Sequence, residues 1–250
     1  MRPEGDSDIF ETQRPALLRL AYRMLGSMAE AEDLVQDAWL RWQAADPSVI
    51  DNPEGWLRRV TSRLCLDQLK SARHRRETYV GTWLPEPVPD GADPRLLADD
   101  LTYTLMLALE RLSPLERAAF LLHDVFETPL DEIAATLKRA PASVRQLAVR
   151  ARRHVRSDRP RYPVSPEEGQ RIVQAFFEAS RRGDLEGLRR LLTQDVTVMS
   201  DGGGKVISFP NTIVGIDKAV RLFAGLTRKY GDRVRLVGPI MVDGQPGVLT

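Results

Sequence analysis

The chain has 250 residues, enough for two or three small domains, and 42% of them are apolar, too many for a disordered chain. Its formal net charge of +1 hides segregation: residues 80–137 carry three Lys/Arg against eleven Asp/Glu, and residues 138–161 carry nine against one. A single cysteine, Cys65, excludes an intrachain disulfide and a Cys-based zinc site, and no apolar run approaches the roughly 20 residues of a membrane span.

The start, MRPEGDSDIFE, is acidic and has no apolar core, so it does not read as a signal peptide, and a cytoplasmic protein is expected. Residues 9–79 space their apolar positions by three and four, the period of amphipathic helices. On the helix from Glu30 to Gln43, the stripe Ala31, Leu34, Val35, Ala38 and Trp42 should be buried. The opposite face holds Glu32, Asp33, Gln36 and Gln43 around Leu40, an apolar anchor rimmed by polar groups that suits a protein contact. Asn52-Pro53 reads as cap and first residue of the next helix. That helix carries seven Lys/Arg and one Asp over residues 58–76. Arg58, Arg59, Arg63, Lys70 and Arg73 are spaced to follow phosphates. Trp56 reads as core.

Residues 80–98 hold four prolines and two glycines and read as a linker. Helices resume at 99, with Ser113-Pro114-Leu115-Glu116 as a capping box and Thr128-Pro129-Leu130-Asp131 repeating the pattern. Two helices, about Leu130–Lys138 and from 142 to about Val155, flank the turn Arg139-Ala140-Pro141. This is the spacing of a helix-turn-helix. On the second, Val144, Leu147, Ala148, Ala151 and Val155 should pack inward. Ala142, Ser143, Arg145, Gln146, Val149, Arg150 and Arg153 should face DNA, where Arg and Gln pair with purine edges. Arg139, Arg152 and Arg156 are better placed on phosphates.

After a break at SDRPRYPVSP (157–166), two helices, about 166–181 and 184–193, lead into β-branched stretches at 196–199, 206–209 and 234–237. The tail is therefore α+β behind an all-helical front. It has no His after His154 to serve as a base, and its carboxylates are scattered, so no catalytic residue, metal site or cofactor is expected. An enzyme built on the tail, and an ordinary regulator with a sensor domain, are the competing readings.

Three stretches carry a resemblance. LAYRMLGSMAEAEDLVQDAWLRW (20–42) resembles the polymerase-binding helices of the extracytoplasmic-function (ECF) sigma factors. NPEGWLRRVTSRLCLDQLKSARHRR (52–76) resembles their promoter-melting helix. LERLSPLERAAFLLHDVF (109–126), with the helix-turn-helix, resembles their second DNA-binding domain. WLPEP (83–87) and DGGGK (201–205) are similar to motifs of the subgroup whose tail is a SnoaL-like domain. The resemblance implies a non-enzymatic, multidomain protein. Residues 1–79 would be a region-2-like domain for core polymerase and the −10 element, followed by the 80–98 linker. Residues 99–157 would be a region-4-like domain for the −35 element, and 163–250 a SnoaL-like α+β cone; GQPGVLT stops early in what should be the sheet, so either the cone is incomplete or the chain is a truncated form. It further implies that Asp33, Gln36, Asp37 and Leu40 grip the β′ clamp helices and that the β flap and promoter DNA are partners. Regulation would run through Trp83, Leu84, Pro85, Asp201, Gly202, Gly203, Gly204 and Lys205. A small ligand of the tail, of unknown identity, stays open.

Overall fold

The computed structural model describes residues 4–76, 84–91, 103–157, 164–202, 208–209, 211–231 and 233–250. Of the expected regulatory residues, Trp83, Gly203, Gly204 and Lys205 lie outside these, as does the first half of the expected strand 206–209. The chain divides into two compact units, one from residues 1–78 and 93–159, the other from 79–92 and 160–250.

Among its described residues, the first unit is all-helical. Helices α1 (Glu4–Leu25), α2 (Met28–Ala44) and α3 (Pro53–Arg76) pack on one another. Ser27 caps α2 by accepting from the Glu30 amide, and the Asn52 side chain accepts the Gly55 amide at the start of α3. The stripe Ala31, Leu34, Val35, Ala38 and Trp42 is buried as its spacing requires. Trp56 is half-buried, with its ring centroid 5.5 Å from that of the buried Trp42, so it packs at the edge of the core. Helices α4 (Tyr103–Glu110), α5 (Pro114–Phe120), α6 (Leu130–Leu137) and α7 (Pro141–Ser157) follow, with a π-helical turn at Leu121–Val125 behind α5. The Ser113–Glu116 capping box is present in full. Thr128 is not a cap: Pro129 stands at the start of α6 without a side-chain cap, and the Thr128 hydroxyl serves other partners. Lys138 ends α6 in the left-handed conformation (φ 53°), and the Arg139 amide reaches back to the Ala134 carbonyl. Pro141 belongs to α7 rather than to the turn, its fixed φ suiting a first helical position.

The second unit is α+β. Helices α8 (Pro166–Arg182), α9 (Leu185–Leu191) and α10 (Ile216–Tyr230) enclose a small core of Ala179, Leu188, Ile216 and Val220, lined by Phe176, Leu192, Val196 and Phe223. Strands β1 (Thr197–Val198) and β2 (Ile213–Val214) form one antiparallel pair; β3 (Gly238–Val242) and β4 (Gln245–Leu249) form another. The strand expected at 234–237 is irregular, and the ladder begins at Gly238. The hairpin is closed by Asp243-Gly244, both with positive φ (46° and 69°), the backbone of a tight two-residue turn. Helix α8 lies close on β4: a Cβ at Gly169 would sit 2.7 Å from Pro246 Cγ.

Candidate nucleic-acid and polymerase interface

Helix α7 separates its faces as the sequence requires. Val144, Leu147, Ala148 and Ala151 are buried, whereas Ser143, Arg145, Gln146, Val149, Arg150 and Arg153 are exposed. Ala142, Arg145, Gln146, Val149 and Arg150 line one shallow groove. Such a surface offers paired donors on Arg and Gln and an apolar patch on Val149, the set that reads base edges and thymine methyls.

Two cations of α7 are held by acids from the preceding helix and turn. Arg150 Nε donates to Glu116 Oε1 at 2.8 Å, and Arg152 Nε donates to Asp124 Oδ1 at 2.5 Å. The other Glu116 oxygen, Oε2, accepts from the Ser113 amide (3.1 Å) and hydroxyl (2.7 Å). Burial pushes the Glu116 carboxyl up. The hydrogen bonds from Arg150 and Ser113 and the charge of Arg150 outweigh it and leave the group below its ordinary range. Sequence reasoning placed Glu116 only as a cap. The signal that would have found its second role is the distance in the fold from 116 to 150, which no local pattern carries.

The basic helix α3 behaves differently from expectation. Arg58 Nη1 donates to Thr128 Oγ1 (3.1 Å) and to the Phe126 carbonyl (3.5 Å). Arg63 donates to the Ala135 (3.1 Å) and Thr136 (3.2 Å) carbonyls. Those carbonyls belong to the last turn of α6, where backbone acceptors lack intrahelical partners and a cation suits the helix dipole. Two arginines expected on phosphates thus grip α6 from the loop before it and from its end. Arg59 is half-buried, Lys70 pairs with Asp67 at 3.1 Å, and the Arg73 side chain lies outside the described residues. A third arginine ties the same halves together. Arg117, 3% exposed, pairs with Glu110 and donates to the Met24 carbonyl, both at 2.8 Å.

On α2, Asp33, Gln36 and Asp37 are exposed around Leu40, which is 53% exposed. In the second unit, the Leu84 amide donates to Asp201 Oδ2 at 2.9 Å, while Pro85 and Gly202 are buried. The Pro-rich segment then runs beside β3. Asp90 donates to the Met241 carbonyl (2.9 Å), Asp243 donates to the Val88 carbonyl (3.1 Å), and Pro89 bridges Val242. Asp243 adds its side chain, accepting from the Val88 amide at 3.3 Å. The sequence reading missed Asp243; the dipeptide Asp243-Gly244 was a legible hairpin signal.

Among the described residues, no group of three or more His, Cys, Asp or Glu is placed to hold a metal, and no helix is long and apolar enough to cross a membrane.

The Sigma-70 region 2 family model matches residues 9–75, and the Sigma-70 region 4 model matches residues 103–155. The chain is 42% identical over 249 residues to the ECF RNA polymerase sigma factor SigJ of Mycobacterium tuberculosis, an alignment that spans 96% of this chain and 80% of that protein. It is 36% identical to the probable ECF RNA polymerase sigma factor SigI of the same species, over 97% of this chain and 83% of that one. The crystal structure of M. tuberculosis SigJ superposes with a TM-score of 0.75 at 40% identity, covering 98% of this chain and 84% of that one.

Proposed function

Since this chain belongs to the ECF RNA polymerase sigma factors, we propose that it joins core RNA polymerase in the cytoplasm and selects promoters in two places. Helix α7 reads the −35 element, and α3 with the loop before it engages the −10 element. Asp33, Gln36, Asp37 and Leu40 on α2 meet the β′ clamp helices, and the α4–α7 domain meets the β flap. The observation that carries this reading is the division of α7 into a buried apolar stripe and an exposed Arg145–Gln146–Val149–Arg150 groove.

Arg58 and Arg63 spend part of their guanidinium donors on protein acceptors, which leaves fewer of them for DNA phosphates. Full use of both arginines on a promoter favours a state in which α3 and α6 part, at the cost of these contacts and with polymerase binding as the source of the energy. The tail, a SnoaL-like domain in this reading, modulates activity by holding the linker. The Leu84–Asp201 hydrogen bond and the segment at Val88–Asp90 added beside β3 support that role.

The test is gel-filtration co-elution with core polymerase, followed by transcription with three proteins: intact, ending at Tyr162, and Asp201→Ala. The reading expects all three to co-elute and the two altered proteins to share a changed transcript yield. Failure of the intact protein to co-elute overturns the sigma role; equal yields from all three overturn the role of the tail.

A further inference from the structure

We propose that Glu116 is a positioning residue for sequence readout, fixing Arg150 by its Nε so that only the end-on Nη1/Nη2 fork faces the groove. This inference rests on α7 being the −35 reader.

The geometry divides the carboxylate into two tasks. Oε2 is anchored by the Ser113 amide and hydroxyl at the start of α5, and Oε1 takes Arg150 Nε at 2.8 Å. The acid sits inside and the cation outside: the Glu116 side chain is 12% exposed and that of Arg150 is 51% exposed. Ser113 therefore fixes the acid, and the acid fixes the arginine. Arg145 and Arg153, neighbours on the same face, have no hydrogen bond or ion pair among the described residues and remain able to swing to either backbone strand.

Two physical consequences follow. Holding the guanidinium in one orientation before DNA arrives removes rotamer freedom that binding would otherwise remove. With Nε occupied, the remaining pair of parallel donors matches the O6/N7 edge of guanine. The second consequence is electrostatic. A carboxylate 2.8 Å away offsets the arginine's charge, so Arg150 is a weak phosphate contact and a directed base contact. Loss of that carboxylate should release Arg150 to the backbone. Discrimination then falls while non-specific binding rises, and a merely structural defect does not produce that pair of changes.

The experiment uses holoenzyme reconstituted from the full chain and core polymerase. It selects on duplexes carrying the protein's own upstream region with the −35 block randomised. Glu116→Gln keeps the shape and the cap, since Gln also serves at the third helical position of a capping box. Ser113→Ala weakens the cap and leaves the Glu116–Arg150 pair. Arg150→Ala marks the base position read by that residue, and Arg150→Lys removes the planar fork while keeping the charge.

The expected result is that Glu116→Gln and Arg150→Lys each lose roughly fivefold or more of the preference at the position marked by Arg150→Ala. Binding of Glu116→Gln to random duplex should tighten, with a log–log salt slope steeper by about one. Ser113→Ala removes the hydroxyl anchor of Oε2 and keeps the amide anchor, so it should lose clearly less of the preference than Glu116→Gln and leave the salt slope unchanged. If Arg150→Ala loses a base preference and Glu116→Gln keeps it, the positioning role is wrong and the reading face stands. Unchanged preference in Arg150→Ala overturns the assignment of the face itself. Equal loss in Glu116→Gln and Ser113→Ala, with no change in the salt slope, reduces Glu116 to a helix cap.

Discussion

Arg63 offers the sharpest perturbation of the contact between α3 and α6. Its guanidinium donates to the Ala135 and Thr136 carbonyls at 3.1 and 3.2 Å, the last turn of a short helix. Hydrogen bonds to a charged group contribute about 1.5–3 kcal/mol each when buried. Ala135 is exposed, so water can replace the donor there, and the pair together should contribute about 2 kcal/mol. Removing it with Arg63→Met, which keeps the apolar stem, should raise the ratio of open to closed molecules about 30-fold. Arg58 and Arg117 still hold the two halves, so the variant should stay folded. Single-molecule energy transfer between dyes at exposed Ser48 on the α2–α3 connection and exposed Ala142 on α7 reads that ratio without DNA. Its use also avoids the confusion of any role Arg63 has on phosphates. An energy-transfer distribution identical to that of the parent would show that the carbonyl contacts hold nothing together.

Leu40→Asp places a charge at the exposed centre of α2 and should abolish co-elution with core polymerase while leaving the helical circular dichroism unchanged; normal co-elution moves the contact elsewhere. Arg117→Met removes one partner of the nearly buried Glu110 carboxylate and of the Met24 carbonyl, and should cost about 2–3 kcal/mol in urea unfolding. Adding Glu110→Gln should recover part of that loss, and a single-variant cost under about 1 kcal/mol contradicts the burial argument. Burial pushes the Cys65 thiol up, so the native protein should resist an aromatic disulfide reagent at pH 8 and react once unfolded. Because the folded thiol's pKa is raised, its contribution to stability is complete below the ordinary thiol value, about 8.5, and falls as pH rises above it. Urea midpoints that stay level from pH 8 to pH 10 in the parent and in Cys65→Ala alike would show that this linkage is absent.

What was legible in the sequence followed local rules. The buried stripe of α2, the two faces of α7, the Ser113–Glu116 box and the Asn52 cap all depend on spacings of three or four residues, and all are present. Errors came where partners are distant in sequence or where a local pattern had a competitor. Thr128 fits a capping pattern, yet its hydroxyl accepts from Arg58, seventy residues away. Arg58 and Arg63 read as phosphate contacts, and nothing local reveals that α6 also lies within their reach. The strand placed at 234–237 follows β-branched composition, whereas the ladder is fixed by the Asp243-Gly244 turn and therefore starts four residues later. Of the linker contacts, Leu84 with Asp201 joins residues of the two motifs named from the resemblance, whereas the hydrogen bonds of Val88 and Asp90 to the β3–β4 hairpin involve residues that no motif marked.

The most direct measurement of the central claim is run-off transcription with core polymerase on the region upstream of the protein's own coding sequence. The account predicts a transcript of defined start that requires this protein, disappears with Leu40→Asp, and weakens with Arg150→Ala. A transcript independent of the protein, or none with a core enzyme that its known sigma factors activate on their own promoters, would contradict it.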